Sequence, residues 1–294
     1  MTDDSWLDGA AAVATLTFDV DAETPVLAAG GRYGQHLSTM SHQAYGPDVG
    51  VPRILDLLDE LEVLATFFVP GWVAEQRPGL AASIAERGHE VAHHSYSHRP
   101  AVDLSPAEQR ADFERALEVF AAQDIEVVGH RAALWQTTTT TFELLTEHGL
   151  QYDSSMMGDD RPYGLRNPDR SSVVELPVHW SLDDWEQYAF LPEPSIGAVI
   201  EAPSKVLDLW TAELEAMRRY GSLFNLCCHP FLTGRPSRLE VLRRLVEFGR
   251  ELGDVAFRRC RDVAASVLDG PAPAAGLRVV DVAPTPVDPS VYPG

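Results

Sequence analysis

The feature that most constrains this 294-residue chain is a rhythm: short apolar, β-branched runs alternate with amphipathic stretches from end to end. Strands are expected at 13–18, 64–69, 89–92, 126–129, 173–178, 223–228 and 255–257. Between them, residues 52–61 place Ile54, Leu57, Leu58 and Leu61 on one helical face. Ser105-Pro106-Ala107-Glu108 reads as a capping box that opens a helix to about residue 122. Further helices are expected at 141–148, 205–220, 238–252 and 261–268, with the threonines at 137–141 forming a turn and N-cap. Strands alternating with crossover helices pair in parallel, so the fold class is α/β, either a barrel or an open doubly wound sheet. No dinucleotide fingerprint follows the first strand. Beyond residue 268 the periodicity stops, and residues 270–294 carry six of the 21 prolines. The chain therefore reads as one domain over 1–268 and a Pro-rich tail over 269–294, extended and solvated.

Composition narrows the function. With 23 basic and 44 acidic residues the net charge is −21. That disfavours nucleic acid, whose phosphates need basic stripes, and also anionic lipid. A hydrophobic fraction of 45% excludes wholesale disorder. Three cysteines, two of them adjacent, are too few for a disulfide scaffold and fit a reducing compartment. The apolar run at 9–18 is too short to span a bilayer, and Asp3 and Asp4 precede it where a secretory signal has basic residues. A cytoplasmic protein with neither membrane nor nucleic-acid partners is expected. The acidic excess, spread through helices such as 56–62 and 108–118, reads as solvated helix faces.

Four segments at the ends of expected strands carry chemistry. Asp19 and Asp21 close the first; residues two apart on an extended segment face the same side, so both acids can serve one site. Residues 89–98 hold His89, His93, His94 and His98, four of the ten histidines. His94 and His98 share a spacing that aims two imidazoles at one point, and two histidines plus a carboxylate make a catalytic zinc set with an open position. His89 and His93 have the same spacing, so periodicity alone does not choose the pair. After the strand at 126–129 comes Arg131, suited to pairing with an acid of the first strand, and Trp135, suited to walling a pocket. The strand at 223–228 ends in His229-Pro230, where a histidine can act as general acid. Tyr163, Trp180, Asp183, Asp184 and Trp185 are further candidates for lining a pocket, none of them read as catalytic.

In this order, Asp-x-Asp, His-x3-His, Arg-x3-Trp and His-Pro resemble the polysaccharide deacetylase family, the NodB-homology group of metal-dependent amide hydrolases. The resemblance spans about 13–268. It is closest to the branch of peptidoglycan deacetylase-like, allantoinase-like and cyclic imidase proteins, through residues 18–23, 65–71, 152–155, 159–163, 175–178 and 229–231. It implies an irregular (β/α) barrel of about seven parallel strands. It implies a divalent metal on Asp21, His94 and His98, zinc first, with cobalt, nickel and manganese also suited to such a site. Asp19 would be the general base, Arg131 its tether and His229 the acid. Two departures stand out: the family's adjacent Asp-Asp-Gly is Asp19-Val20-Asp21 here, and Ala133 replaces the usual Pro of the third motif.

The activity so implied is hydrolysis of non-peptide C–N bonds, on an N-acetyl sugar or another small molecule, by a homo-oligomer. An alternative is ring opening of a cyclic imide or ureide, which suits a cytoplasmic location. A reading of another class is a catalytically silent glycan- or metal-binding relative, disfavoured because base, acid and ligands are all retained.

Overall fold

The computed structural model describes residues 5–269, 272–274, 276–286 and 291. Its sheet contains β1 (Ala12–Asp19), β2 (Thr66–Val69), β3 (Glu90–His93), β4 (Gly129–His130), β5 (Tyr152–Asp153), β6 (Tyr163–Arg166), β7 (Ser172–Glu175), β8 (Leu223–Cys228), β9 (Val255–Phe257) and β10 (Val279–Asp281). Seven of these run parallel in the order β8-β1-β2-β3-β4-β5-β7. The ladder stops between β7 and β8, and a side chain bridges the gap. Asn225 on β8 donates to the carbonyls of Leu176 and Pro177, at 3.2 and 3.0 Å, just beyond β7. Its amide oxygen is fixed in turn by Thr15 Oγ1 at 2.8 Å. The result is an irregular parallel barrel, the α/β architecture implied by the sequence.

β1 pairs with β8, β9 and β2, and all eight of its residues are buried. The helix Val51–Glu60 presses Ile54, Leu55, Leu57 and Leu58 onto the sheet, each worth about 1.5–3 kcal/mol of burial. The capping box is formed as the sequence implies, with Ser105 Oγ accepting from Glu108 N–H and the Glu108 carboxylate from Ser105 N–H. Thr138 caps the helix Thr139–Glu147 in the same way.

Three differences from the sequence reading have physical causes. The strand expected at 126–129 pairs only from Gly129, where a Cβ would lie 1.9 Å from the Tyr152 ring. The two-residue strand β5 and the antiparallel strand β6 are too short to show a period. Residues 279–281 of the tail do not float in solvent but pair in parallel with β6 along Gly164–Arg166, because that edge would otherwise expose an unpaired row of backbone groups. Among the described residues no helix is long and apolar enough to cross a membrane.

Candidate active site

The carboxyl ends of β1, β3, β4 and β8 bring Asp19, Asp21, His94, His98, Arg131 and His229 together, all of them buried. Asp21 is the hub. Its Oδ1 lies 3.2 Å from His94 Nε2, and its Oδ2 lies 3.4 Å from His98 Nε2 and 3.6 Å from His229 Nε2. The His94 ring is oriented from behind, since Nδ1 donates to the Arg131 carbonyl at 2.7 Å. That bond puts the proton of a neutral ring on Nδ1 and turns the Nε2 lone pair toward Asp21. Asp21 Oδ1 and His94 Nε2 are then two buried acceptors facing each other without a hydrogen-bond donor. Orphaned buried groups are costly, and a cation between them satisfies both. One atom each from Asp21, His94 and His98 falls within 4.8 Å of the others, so the trio fits a divalent metal.

The other two histidines of the cluster are excluded by where they point. His93 ends β3 with its ring packed at 4.1 Å on Phe113, accepting from Ser95 N–H and donating to the Phe113 carbonyl. His89 accepts from Ala65 N–H at the opposite end of the strand, and burial pushes its pKa down to about 4.

Arg131 is fully buried and donates from all three of its nitrogens. It donates to Asp19 Oδ1 at 2.7 Å, Thr17 Oγ1 at 2.8 Å, the Ser154 carbonyl at 3.0 Å and Ser154 Oγ at 2.9 Å, with its cation over the Phe68 ring. Asp19 Oδ2 is left facing His94 Nε2 at 3.7 Å and the Cys227 thiol at 3.4 Å. On the opposite wall, Asp184 accepts at Oδ1 from His229 Nδ1 at 2.7 Å and from His229 N–H at 2.9 Å, while Thr233 holds its other oxygen. Burial works against the His229 charge, but the Asp184 bond outweighs it and the pKa rises to about 10. For Asp21 the burial cost is outweighed by the imidazoles around it, His98 first, which hold the carboxyl below the usual range. Burial pushes Asp183 up to about 7.

These groups open onto a cavity of about 130 Å³, lined also by Leu134, Trp135, Trp180, Asp183, Trp185 and Glu186. Trp135 therefore walls the pocket as its position implied, and so do Trp180, Asp183 and Trp185. Tyr163 does not; it packs in the core beside Phe142 and Leu165. Nine described residues other than glycine have positive φ, and five of them, Ala22, Ser95, His98, Leu134 and Trp135, sit at this site. Such backbone strain concentrates where a constellation must be held in place. Asp112, from the helix Pro106–Ala122, clamps the His94–His98 loop by accepting from Tyr96 and Ser97 N–H. Among the supporting residues, Asp112 has no sequence signal, Ser154 stands only within the 152–155 resemblance, and Asp184 is a pocket-wall candidate that supports His229 from behind. The acid pair before Trp185 marks Asp184 for the pocket, but its bond to His229, 45 residues away, has no local signal.

Comparison with known proteins identifies a family and a shared fold. The polysaccharide deacetylase family model matches residues 44–152. A Mycobacterium smegmatis protein assigned as a polysaccharide deacetylase has a solved structure 44% identical to this chain, with a TM-score of 0.84, covering 88% of this chain and 90% of its own. The peptidoglycan deacetylase of Helicobacter pylori is 26% identical over 78% of this chain and 87% of its own length. An allantoinase structure shares the fold at 19% identity, with a TM-score of 0.76 over 90% of this chain and 92% of its own.

Proposed function

Because this chain belongs to the polysaccharide deacetylase family, we propose that it is a metal-dependent hydrolase that releases the acyl group from an amide nitrogen, acting on an N-acetyl sugar or another small N-acyl compound. The observation that carries this reading is the pair of orphaned acceptors, Asp21 Oδ1 and His94 Nε2, at the floor of the cavity. Asp21, His94 and His98 would hold the cation. When bound there, a divalent cation supplies Lewis acidity toward the amide carbonyl and acidifies water.

The remaining chemistry belongs to the side chains. Arg131 occupies Asp19 Oδ1 and holds the carboxylate in place, so Oδ2 takes the proton of the attacking water. The water oxygen bonds to the acyl carbon as the C–N bond breaks. His229 delivers a proton from Nε2 to the departing nitrogen, because an amide anion cannot leave unaided. Its Nδ1 bond to Asp184 both aims the ring and keeps it protonated at neutral pH. The products are a carboxylate and an amine.

The small cavity walled by three tryptophans favours a second reading, ring opening of a compact cyclic imide or ureide by the same groups. One experiment separates the two. Zinc-loaded protein is assayed for acetate release from N-acetylglucosamine oligomers and for opening of a panel of imides and ureides. Acetate release supports the first reading, ring opening alone the second, and neither reaction with fully loaded protein sinks both.

A further inference from the structure

The rim of the cavity carries a charge pattern that this chemistry leaves unused. Asp19 is neutralised by Arg131, Asp21 lies among imidazoles, and Asp184 is tied to His229. Glu186 remains: it is exposed, lines the cavity beside Asp183, and its carboxylate has no ion pair or hydrogen bond among the described residues. Among the described residues no Lys or Arg lines this cavity, and Arg131 is sealed beneath Asp19. The walls are indoles. Trp135 and Trp180 stack with centroids 4.5 Å apart, Trp180 remains nearly half exposed, and Trp185 meets the His229 ring at 5.0 Å. Indole faces attract cations through the ring quadrupole, the Glu186 carboxylate completes such a cage, and the chain's charge of −21 draws cations from a distance.

We propose that the amide taken by this site bears an ammonium group close to the scissile bond, held between the Trp180 and Trp185 indoles and the Glu186 carboxylate. This rests on the amide-hydrolase reading and gives it a substrate class: an N-acyl diamine, or an N-acyl aminosugar whose neighbour carries a free amine. Carboxylate- and phosphate-bearing amides are excluded by the same field.

Three amides of matched size test it: N-acetylputrescine is cationic, N-butylacetamide neutral and N-acetyl-γ-aminobutyrate anionic. Their binding is measured by tryptophan fluorescence on the full metal-free chain, where no turnover intervenes, and kcat/KM on the zinc-loaded chain. The cation is expected to bind about tenfold more tightly than the neutral amide, with the anion weakest. Glu186→Gln or added salt should shrink that gap to about twofold. A parallel arm compares the glucosamine–N-acetylglucosamine disaccharide with di-N-acetylchitobiose, and the higher kcat/KM between this disaccharide and N-acetylputrescine names the source of the ammonium. Equal binding of cation and neutral amide, preference for the anion, or a gap unchanged in Glu186→Gln overturns the proposal. Binding in the expected charge order without turnover of any amide supports the ammonium site and sinks the hydrolase reading; turnover without charge order does the reverse.

Discussion

Two buried polar clusters sit at the carboxyl ends of neighbouring strands in this barrel, built from the same residue types, and they behave as opposites. In the first, Asp21, His94 and His98 converge on the floor of a cavity, and Asp21 Oδ1 and His94 Nε2 lack donors. In the second, His130, Asp153 and Glu175 end β4, β5 and β7, and His130 Nδ1 bonds Asp153 Oδ1 at 2.6 Å. Glu175 Oε1 accepts from the Ser155 and Met156 amides at 2.9 Å each, while Asp153 Oδ2 and Glu175 Oε2 have no donor of their own. These two carboxyls are cross-strand neighbours in register. Burial first, and then the Asp153 charge, push the Glu175 pKa well up. A proton on Glu175 therefore closes the second cluster from within. The first cluster opens onto empty volume, and a cation suits it better. A buried acid marks a site when its free atoms face a void; when they face each other they make a strut. The strut here serves the site, since Ser155 Oγ, bonded to Asp153, accepts from Ala132 N–H beside Arg131.

Mutations on either side sharpen the contrast. The largest effect is expected for Asp19→Asn, a loss of about 10²–10⁴-fold in kcat with metal content unchanged; steady-state kinetics alongside metal analysis checks both halves. Glu175→Gln should leave kcat near wild type, because its amide oxygen still accepts both backbone N–H groups and its amide nitrogen reaches Asp153. Asp184→Asn weakens the aim and charge of His229 and should cost about 10–100-fold in activity, measured in the same assay. A wild-type rate in that variant would show that Asp184 only packs.

Stability gives the smallest signal. Glu175→Ala strands two amides and one carboxylate and should cost about 1–3 kcal/mol in chemical denaturation, with Glu175→Gln nearly neutral. The pH dependence follows from the raised pKa. The protonated Glu175 contributes stability that is complete below its ordinary value of 4.5 and is lost as pH rises through the higher folded value. Wild type should therefore lose stability above pH 4.5 relative to Glu175→Gln. Parallel curves for the two proteins would mean that Glu175 is not the proton carrier.

The two clusters were not equally legible in the sequence. Asp19, Asp21, His94, His98, Arg131 and His229 were readable because each follows a strand and each belongs to a short motif. Choosing His94 and His98 over His89 and His93 required the family resemblance, since spacing is identical and only the pleat separates them: His93 faces Phe113 while His94 faces Asp21. Asp184 and Asp112 act through bonds spanning 45 residues to His229 and 16 to Tyr96, and no local pattern encodes such a partner. The strut was invisible for the same reason, because Asp153 and Glu175 meet only once β5 and β7 are paired. The fold itself was legible where strands were long, as at β1 and β8, and not where two residues suffice, as at β5.

The most direct measurement is a zinc titration of chelator-stripped protein, followed by calorimetry and thermal unfolding, on wild type, Asp21→Asn and Glu175→Gln. Wild type and Glu175→Gln are expected to take up one zinc per chain, with stability raised by about 2.7 kcal/mol at a hundredfold excess over Kd, and Asp21→Asn to gain nothing. Equal zinc binding by Asp21→Asn, or loss of binding in Glu175→Gln alone, would contradict the assignment of the open cluster as the metal site and the closed one as its support.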